Sequence, residues 1–496
     1  MPNAPSLLDR PESPPAATRL RRWTLLAVAL GTFMTYLDNN VINVAIPSIQ
    51  RDLHLSASGI EWVVSAYILA FAGLLLAGGR LGDVAGHKRS FLLGLMLFTG
   101  ASLLAGLSGD MHLLVASRAL QGIGAAMLTP TSLAIITTTF PETREQARAI
   151  GVWAAVGALA LAVGPLLGGI LSQHLSWHWI FFINVPIGVA TLALGARTIE
   201  ERRTVVRRRL DLPGVALSTG ALIGLTYSLI QGPQSGWTNA LVLTGLGVAA
   251  VLGTAFVIVE RRATDPMLEL GVFGDRSFTG GIMALGLWAF GLFGIYFFTS
   301  LYLQNVLGFS ASKAGVAFVP MAALMAAGAA VSDRVAPRVG AHRLVGAAMA
   351  LMGLGILSVS LLGRNATFGD LMPGFAVIGI GGGLTIPLTS TVVSAMPAER
   401  AGVASAVFNA SREVSGLLGI TVIGVILSAR QHAEARLGAS SLHAFLSGYR
   451  LGLVVAGALV IAGGAMAWGA LRRVAPVAGA PEIVVAAEPS TPVGMA

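Results

Sequence analysis

The amino-acid sequence predicts an all-α integral membrane protein with fourteen transmembrane helices. Only 11% of its 496 residues are charged and 55% are hydrophobic, whereas a soluble domain carries about 25% charged residues. Apolar runs of roughly 20 residues recur along nearly the whole chain, and each is long enough to cross about 30 Å of hydrocarbon. Transmembrane barrel strands would alternate polar and apolar residues over about 10 positions, so we predict helices.

The predicted spans are separated by loops of unequal charge. The spans are 23–46, 60–79, 90–108, 112–134, 148–171, 178–197, 212–231, 239–259, 279–303, 314–331, 343–362, 370–394, 403–428 and 447–471. Most of the 32 lysines and arginines lie on the side of the N-terminal tail, and the alternate loops hold only Arg51, Lys313, Arg364, Arg430 and Arg436. Because cytoplasmic loops carry the excess of positive residues, we expect both termini in the cytoplasm. The net charge of +9 then reflects membrane orientation, and we expect no nucleic-acid partner.

The two halves of the chain repeat each other. Asp83 precedes Gly86–Arg89 after the second span, and Asp333 precedes Gly340–Arg343 after the tenth. Duplicated bundles around a central site are typical of alternating-access transporters. We therefore predict a cytoplasmic tail (1–22), a six-helix bundle (23–197), a basic linker with two extra central helices (198–278), a second six-helix bundle (279–471) and a cytoplasmic tail (472–496).

Five motifs follow one another in the N-terminal half. They read L-D-N-N-V-I-N-V-A-I-P (37–47), G-R-L-G-D-V-A-G-H-K-R (79–89), R-A-L-Q-G-I-G (118–124), G-x(6)-G-P-x-x-G-G (157–169) and W-H-W-I-F-F-I-N-V-P (177–186). Together they resemble the motifs of the major facilitator superfamily, and within it those of the fourteen-span drug/proton antiporters. The chain departs from the family pattern where Val84, His87 and His178 replace arginine and Asn40 replaces threonine.

The resemblance implies a role for two of these motifs. It assigns a cytoplasmic gating loop to Gly79, Asp83, Gly86, Lys88 and Arg89, in which Asp83 bridges the two halves when the site opens outward. It also assigns an antiporter motif that seals one half against the other, formed by Gly157, Gly164, Pro165, Gly168 and Gly169. The alternatives are a solvated turn and a stripe of small residues of the kind common in membrane helices.

A charged pair is predicted inside the N-terminal bundle. Asp38 lies in the middle of the first span, where a charge costs at least about 2.5–3.5 kcal/mol and needs a partner, water or a proton. Arg118 in the fourth span stays charged at physiological pH and would favour the Asp38 carboxylate. We expect Asn39 and Asn43 to extend a polar strip beside Asp38. The pair is interpreted as a proton-coupling switch, with a static ion pair as the alternative.

A second charged pair lies in the thirteenth span. Arg412 and Glu413 are adjacent, so we expect them to point about 100° apart and not to face one cavity. Glu413 would either attract cationic substrate or bind an arginine of a neighbouring helix. For the substrate surface between the halves we consider the aromatic residues Trp153, Trp288, Phe290, Tyr296 and Phe297, with packing as their alternative role.

These features predict a proton-coupled antiporter in the cytoplasmic membrane of a bacterium. Its partners would be protons, the bilayer and an amphiphilic drug or other small organic compound, and we expect a monomer. The alternatives are a narrow exporter of one metabolite or antibiotic and, against the antiporter motif, a proton-coupled importer. No nucleotide-binding motif G-x-x-x-x-G-K-[ST] occurs, so we expect no ATP-driven step. We expect no enzymatic activity, no cofactor and no metal site, and cysteine is absent.

Overall fold

The computed structural model describes residues 15–201, 211–263, 266, 268, 270–394 and 401–472, and the regular structure in these residues is helical. The predicted N-terminal tail to residue 14, the basic residues 202–210 and the C-terminal tail from residue 473 lie outside the described residues. The helices are α1 Pro15–Asp52, α2 Ala57–Ala85, α3 His87–Gly106, α4 Met111–Thr139, α5 Thr143–His174, α6 Trp179–Phe182, α7 Asn184–Thr198, α8 Leu212–Ser235, α9 Ala240–Arg262, α10 Arg276–Leu301, α11 Ala311–Val339, α12 Ala341–Ser360, α13 Phe368–Leu384, α14 Pro387–Ser394, α15 Ala401–Arg436 and α16 Ser441–Leu471.

The helices confirm the predicted fold class. Among the described residues, 13 helical segments are long and apolar enough to cross a membrane, and the 32-residue α5 occupies the remaining predicted span. The sixth span consists of α6 and α7 in succession, and the twelfth of α13 and α14. Pro387 begins α14 because it lacks the amide hydrogen that a continuous helix would need.

Several helices extend beyond the predicted spans. α1 begins at Pro15, within the segment predicted as a tail, and ends at Asp52. The turn predicted at Gly79–Arg89 is almost wholly helical: α2 continues to Ala85 and α3 starts at His87. The break between them is Gly86, whose φ of 100° is strained for any residue with a side chain. The prediction of a turn was wrong because polar residues can prolong a helix beyond its apolar part.

The helices form two bundles with an additional pair between them. In the first bundle α4 packs against α2 and α3, and α1 packs against α5 and α7. In the second, α16 packs against α12 and α10, and α13 against α11. The extra helices α8 and α9 pack on each other, and α8 also contacts both α2 and α15. The pair therefore covers the seam between the bundles from outside, and the boundaries of the five predicted segments stay predictions.

The two bundles meet most closely at one face, which we call the closed face. α5 packs against α11 and α2 against α15. Gln304 Nε2 donates to the carbonyl oxygen of Val44 at 2.8 Å, and the amide of Ser312 donates to Gln173 Oε1 at 3.0 Å. Gln173 and Ser312 lie at helix ends, Gln304 follows α10, and Val44 lies about two turns before the end of α1, all towards the side of the α1–α2 loop. The space between the bundles is therefore shut on that side.

Candidate functional site

Asp38 lies in the interior of the N-terminal bundle, with no exposed surface. Arg118 Nη1 donates to its Oδ2, and Gln121 Nε2 and Asn184 Nδ2 donate to its Oδ1 at 2.9 and 3.0 Å. The two amides also donate to Ser102 Oγ, at 2.6 and 3.1 Å. The carboxylate thus has three donors from two other helices, and four helices, α1, α3, α4 and α7, converge on one polar network.

Arg118 is equally buried and held from several sides. Its Nε donates to the carbonyl oxygen of Val63 at 3.2 Å, and its guanidinium carbon lies 4.4 Å from the ring centre of Tyr67. Its Nη2 makes no hydrogen bond within the described residues. Removing one member of a buried ion pair typically costs about 3–5 kcal/mol, because the other charge is left uncompensated. Protonation of Asp38 would therefore weaken the restraint that it places on Arg118.

Sequence reasoning missed the neutral members of this network. Gln121 and Asn184 lie within quoted motifs, and Gln121 follows Arg118 by about one helical turn. Their positions in apolar helices were the available signal, since buried amides need hydrogen-bond partners. Ser102 had no such signal, because a serine in a membrane helix commonly satisfies itself on the carbonyl of the preceding turn.

Asn39 and Asn43 do not extend the Asp38 network. Both line a cavity of about 330 Å³ between the bundles, which does not include Asp38. The predicted polar strip was wrong because neighbouring residues on a helix point about 100° apart. Asp38 therefore faces the bundle interior, while Asn39 faces the space between bundles. Both side chains belong to α1, so a movement of α1 would displace the Asp38 network and the cavity wall together.

The cavity has an aromatic and aliphatic wall with few polar groups. Of the predicted aromatic residues, Trp153, Trp288 and Tyr296 line it, whereas Phe290 and Phe297 pack elsewhere. Phe293 also lines it, although the sequence did not single it out. Other lining residues are Thr32, Tyr36, Asn40, Val64, Ile68, Gly157, Leu292, Ala322, Met325, Ala326, Ala329, Gly382, Gly383, Ile386 and Ile420. Within the described chain no three histidine or acidic side chains stand together as metal ligands.

Arg412 and Glu413 both reach this cavity, contrary to the prediction. Arg412 Nη2 donates to Glu413 Oε1 at 2.7 Å, and its Nε donates to the same oxygen at 3.0 Å. The guanidinium also contacts Tyr36 Oη at 3.4 Å across the bundle boundary. The 100° separation holds for the Cα–Cβ directions, but the long arginine side chain curls around the helix to its neighbour. The pair is close to neutral as a unit.

Four buried polar atoms of the cavity-lining residues have no partner in the described residues. They are Thr32 Oγ1, Trp153 Nε1, Trp288 Nε1 and Glu413 Oε2. Buried polar groups are nearly always hydrogen-bonded, so each of these atoms has an unused hydrogen-bonding capacity beside the cavity. The two indole N–H groups are donors, the carboxylate oxygen is an acceptor, and the threonine hydroxyl can act as either. The Glu413 side chain is almost fully enclosed.

The glycines of the 157–169 motif bring α5 against two different helices. A Cβ at Gly164 would stand 2.7 Å from Asn40 Cβ, and one at Gly168 would collide with the Val41 carbonyl, both on α1 of the same bundle. A Cβ at Gly169 would collide with the Ala311 carbonyl oxygen on α11 of the other bundle. The stripe of Gly164 and Gly168 was predicted to seal one half against the other. In the structure it packs within its own bundle, so that prediction was wrong. The motif contacts the other bundle through Gly169 and also through Pro165, whose carbonyl oxygen a Cβ on Gly315 of α11 would meet. These residues follow Gly164 and Gly168 by one position each, and the helix surface turns by about 100° per residue.

The 79–89 motif contacts its own bundle and the linker. Asp83 Oδ1 lies 3.8 Å from His87 Nε2 in the same bundle. A Cβ at Gly86 would collide with the Glu201 carboxylate, which accepts from the Arg89 amide at 3.3 Å. Lys88 Nζ donates to the Ala196 carbonyl oxygen at 2.8 Å. Gly79 lies against Pro130 of α4. The bridge from Asp83 to the other half therefore stays a prediction for a different conformation.

Comparison with known proteins gives the family. The model of the Major Facilitator Superfamily matches residues 28–420. "Multidrug resistance protein Stp" of Mycobacterium tuberculosis is 36% identical over 412 residues, which cover 83% of this chain and 76% of that protein. "Tetracenomycin C resistance and export protein" of Streptomyces glaucescens is 36% identical over 421 residues, covering 84% and 78%.

A solved structure shows the same fold. It is a bacterial homologue of the human lysosomal transporter Spinster, in an inward-facing and unoccupied conformation, with a TM-score of 0.66 and 18% identity. The likeness covers 93% of this chain and 98% of that one. Family model, relatives and fold agree with the geometry of two bundles around a cavity, and the chain belongs to the major facilitator superfamily of membrane transporters.

Proposed function

We propose that this protein exports small organic compounds from the bacterial cytoplasm in exchange for protons. The observation that carries this proposal is the enclosed Asp38–Arg118 pair, because Asp38 lies on α1, which also lines the cavity between the bundles. With both termini in the cytoplasm, the closed face is external and the conformation is inward-facing. The relatives named for drug resistance and export support the direction of transport.

Coupling would operate through α1. A proton on Asp38 neutralises the partner of Arg118 and weakens the network that holds α1 against α4 and α7. Asn39, on the adjacent face of α1, then moves relative to the cavity. The close packing of α1 on Gly164 and Gly168 makes α5 follow, and α5 contacts the other bundle through Gly169. Proton binding and cavity access are thereby linked without direct contact between proton and substrate.

The proton gradient supplies enough free energy for this exchange. One charge crossing 100 mV yields about 2.3 kcal/mol, and one pH unit adds about 1.36 kcal/mol. At one proton per neutral substrate, the sum supports a concentration ratio of a few hundred, since about 1.4 kcal/mol corresponds to a factor of ten.

The cavity favours an uncharged, oxygen-bearing aromatic compound over a dication. Arg412 compensates the charge of Glu413, so the cavity has little net negative charge to attract a cation. The unpartnered indole N–H groups of Trp153 and Trp288 can donate to carbonyl or ether oxygens, and Glu413 Oε2 can accept from a hydroxyl. The aromatic wall supplies the remaining contact with a planar ring system.

Replacing Trp288 with phenylalanine tests this substrate class. Phenylalanine keeps an aromatic ring at this position but lacks the indole N–H donor. A lost hydrogen bond of about 1 kcal/mol or slightly more should raise the half-saturating concentration of a carbonyl-bearing aromatic compound about 5- to 10-fold. A congener without that carbonyl should be transported unchanged. Concentration-dependent uptake into everted vesicles measures both, with Trp23→Phe, at an exposed tryptophan, as control. An equal change for the two congeners would contradict the proposed contact.

A narrow exporter of one antibiotic is the second candidate, and the relative named for a single compound favours it. A resistance panel in an efflux-deficient host separates the two candidates. Protection against one chemical class would identify the narrow exporter, and protection against unrelated amphiphiles would identify the broad one.

A further inference from the structure

Glu61 is a buried acid at the seam between the bundles. It lies in the second turn of α2 at the closed face, is 6% exposed, and forms no hydrogen bond or ion pair among the described residues. A Cβ placed on Gly424 of α15 would collide with its carboxyl group. The Glu61 side chain therefore fills a gap that the absence of a side chain at Gly424 leaves open. Neither the Asp38 network nor the substrate cavity includes it.

The charged groups on the helices around Glu61 form no ion pair with it within the described part of the chain. On α15, Arg430 pairs with Glu434 at 3.1 Å. On α4, Arg118 is bound to Asp38, and on α1 the Asp52 carboxylate accepts from Trp177 at 2.8 Å. Other groups at the same end of these helices are Arg51 on α1, His54 before α2, Asp110 and His112 at the start of α4, and His432 and Arg436 on α15. Arg51 Nε donates to the Pro47 carbonyl oxygen at 3.1 Å, and His112 Nδ1 lies 3.8 Å from Asp110 Oδ1. The nearby tyrosines are Tyr67 on α2 and Tyr227 on α8, and Tyr227 lies beside Trp62 with ring centres 6.4 Å apart. Among the described residues no cation forms an ion pair with Glu61.

A lone carboxylate in such a place is far more costly than the neutral acid. The cost falls when α2 and α15 separate, because the carboxyl group then becomes more fully hydrated. Opening and closing of this seam must therefore depend on whether Glu61 carries its proton. The two states of the seam differ in the solvation of one acid, which gives a differential free energy of the kind that shifts a two-state equilibrium.

We propose that Glu61 is a proton-operated latch of the external face. When the seam opens, the O–H bond of the carboxyl group breaks and the proton passes to water on that side. When the seam closes, the carboxylate takes a proton from the same side. The latch moves no net proton across the membrane, so it is separate from the exchange proposed at Asp38. A low external pH favours the closed face, and a high external pH favours opening.

Spin labels across the seam test the latch directly. The chain has no native cysteine, so the exposed residues Ala57 on α2 and Ala433 on α15 can be replaced with cysteine and labelled without other changes. In proteoliposomes, the population at the short distance relative to that at the long distance should fall as pH rises. The fall should be up to about tenfold per pH unit for one linked proton. Glu61→Gln, which resembles the neutral acid, should keep the short distance throughout.

Two further variants make the outcome unambiguous. Asp110→Asn neutralises an exposed acid on the same side, still caps α4, and should leave the pH response unchanged. Gly424→Ala should displace the Glu61 carboxyl and lengthen the distance, and Glu61→Ala in that background should restore the short one. An unaltered pH response in Glu61→Gln would overturn the latch. The same measurements in an Asp38→Asn background should give the same profile, so failure of the latch and failure of proton exchange are distinguishable.

Discussion

Asp38→Asn is expected to abolish proton-driven export while substrate binding remains detectable. Asparagine keeps the shape of the side chain and can still accept from Gln121 and Asn184, but it cannot bind and release a proton. The Arg118 charge also stays uncompensated in every state, so the network loses its switch. In everted vesicles with an acidic lumen, addition of substrate should release protons from the lumen when the vesicles carry the wild-type protein. Vesicles that carry the variant should release none. Tryptophan fluorescence of the purified variant should still respond to substrate.

The double variant Asp38→Asn/Arg118→Met separates loss of coupling from loss of stability. A buried guanidinium without its carboxylate costs about 3–5 kcal/mol, and its removal should restore much of the thermal stability lost in the single variant. Coupling should remain absent, because no titrating group returns. Asp370→Asn, at an exposed acid that caps α13, is the matched control. Substrate-driven proton release by the single variant at the wild-type level would refute Asp38 as the proton carrier.

The fold and part of the site were predictable because a charged side chain inside the membrane must pair, contact water or be neutralised. The apolar spans and the distribution of arginine predicted the helix count. Asp38 and Arg118 each needed a partner in the same bundle, and the structure places them together. The neutral members, Gln121 and Asn184, escaped because an amide in a membrane helix is compatible with many partners. The hydrogen-bond partners of these two amides are fixed only when α4 and α7 pack around α1.

The errors have a common physical cause. A helical wheel gives the direction of each Cβ, but not the reach of the side chain or the identity of the neighbouring helix. Arg412 curls around α15 to Glu413, and Gly168 and Gly169 contact different bundles although they are adjacent. Glu61 did not stand out because an acid near the start of a span can reach water at the membrane surface. Its burial follows from the position of α15, which the sequence of α2 does not contain.

Gly169→Val should hold the external face open and reduce transport strongly. The added side chain meets the Ala311 carbonyl, a backbone atom that cannot rotate away, only when α5 packs on α11. Overpacking of this kind costs about 1–3 kcal/mol, so the ratio of closed to open molecules should fall about 5- to 150-fold. The spin-label pair at Ala57 and Ala433 should report the longer distance, and transport should fall in proportion.

The same substitution at Gly151 is the matched control for this prediction. Gly151 lies on the same helix, and a Cβ there meets no atom within 4 Å, so Gly151→Val should retain transport and the closed distance. Gly168→Val should differ from both, because its collision with Val41 lies within one bundle and is present in every conformation. It should lower thermal stability without favouring either face. A closed distance in Gly169→Val, together with normal folding, would mean that α5 and α11 can slide past each other. The seam would then depend on α2 and α15 alone.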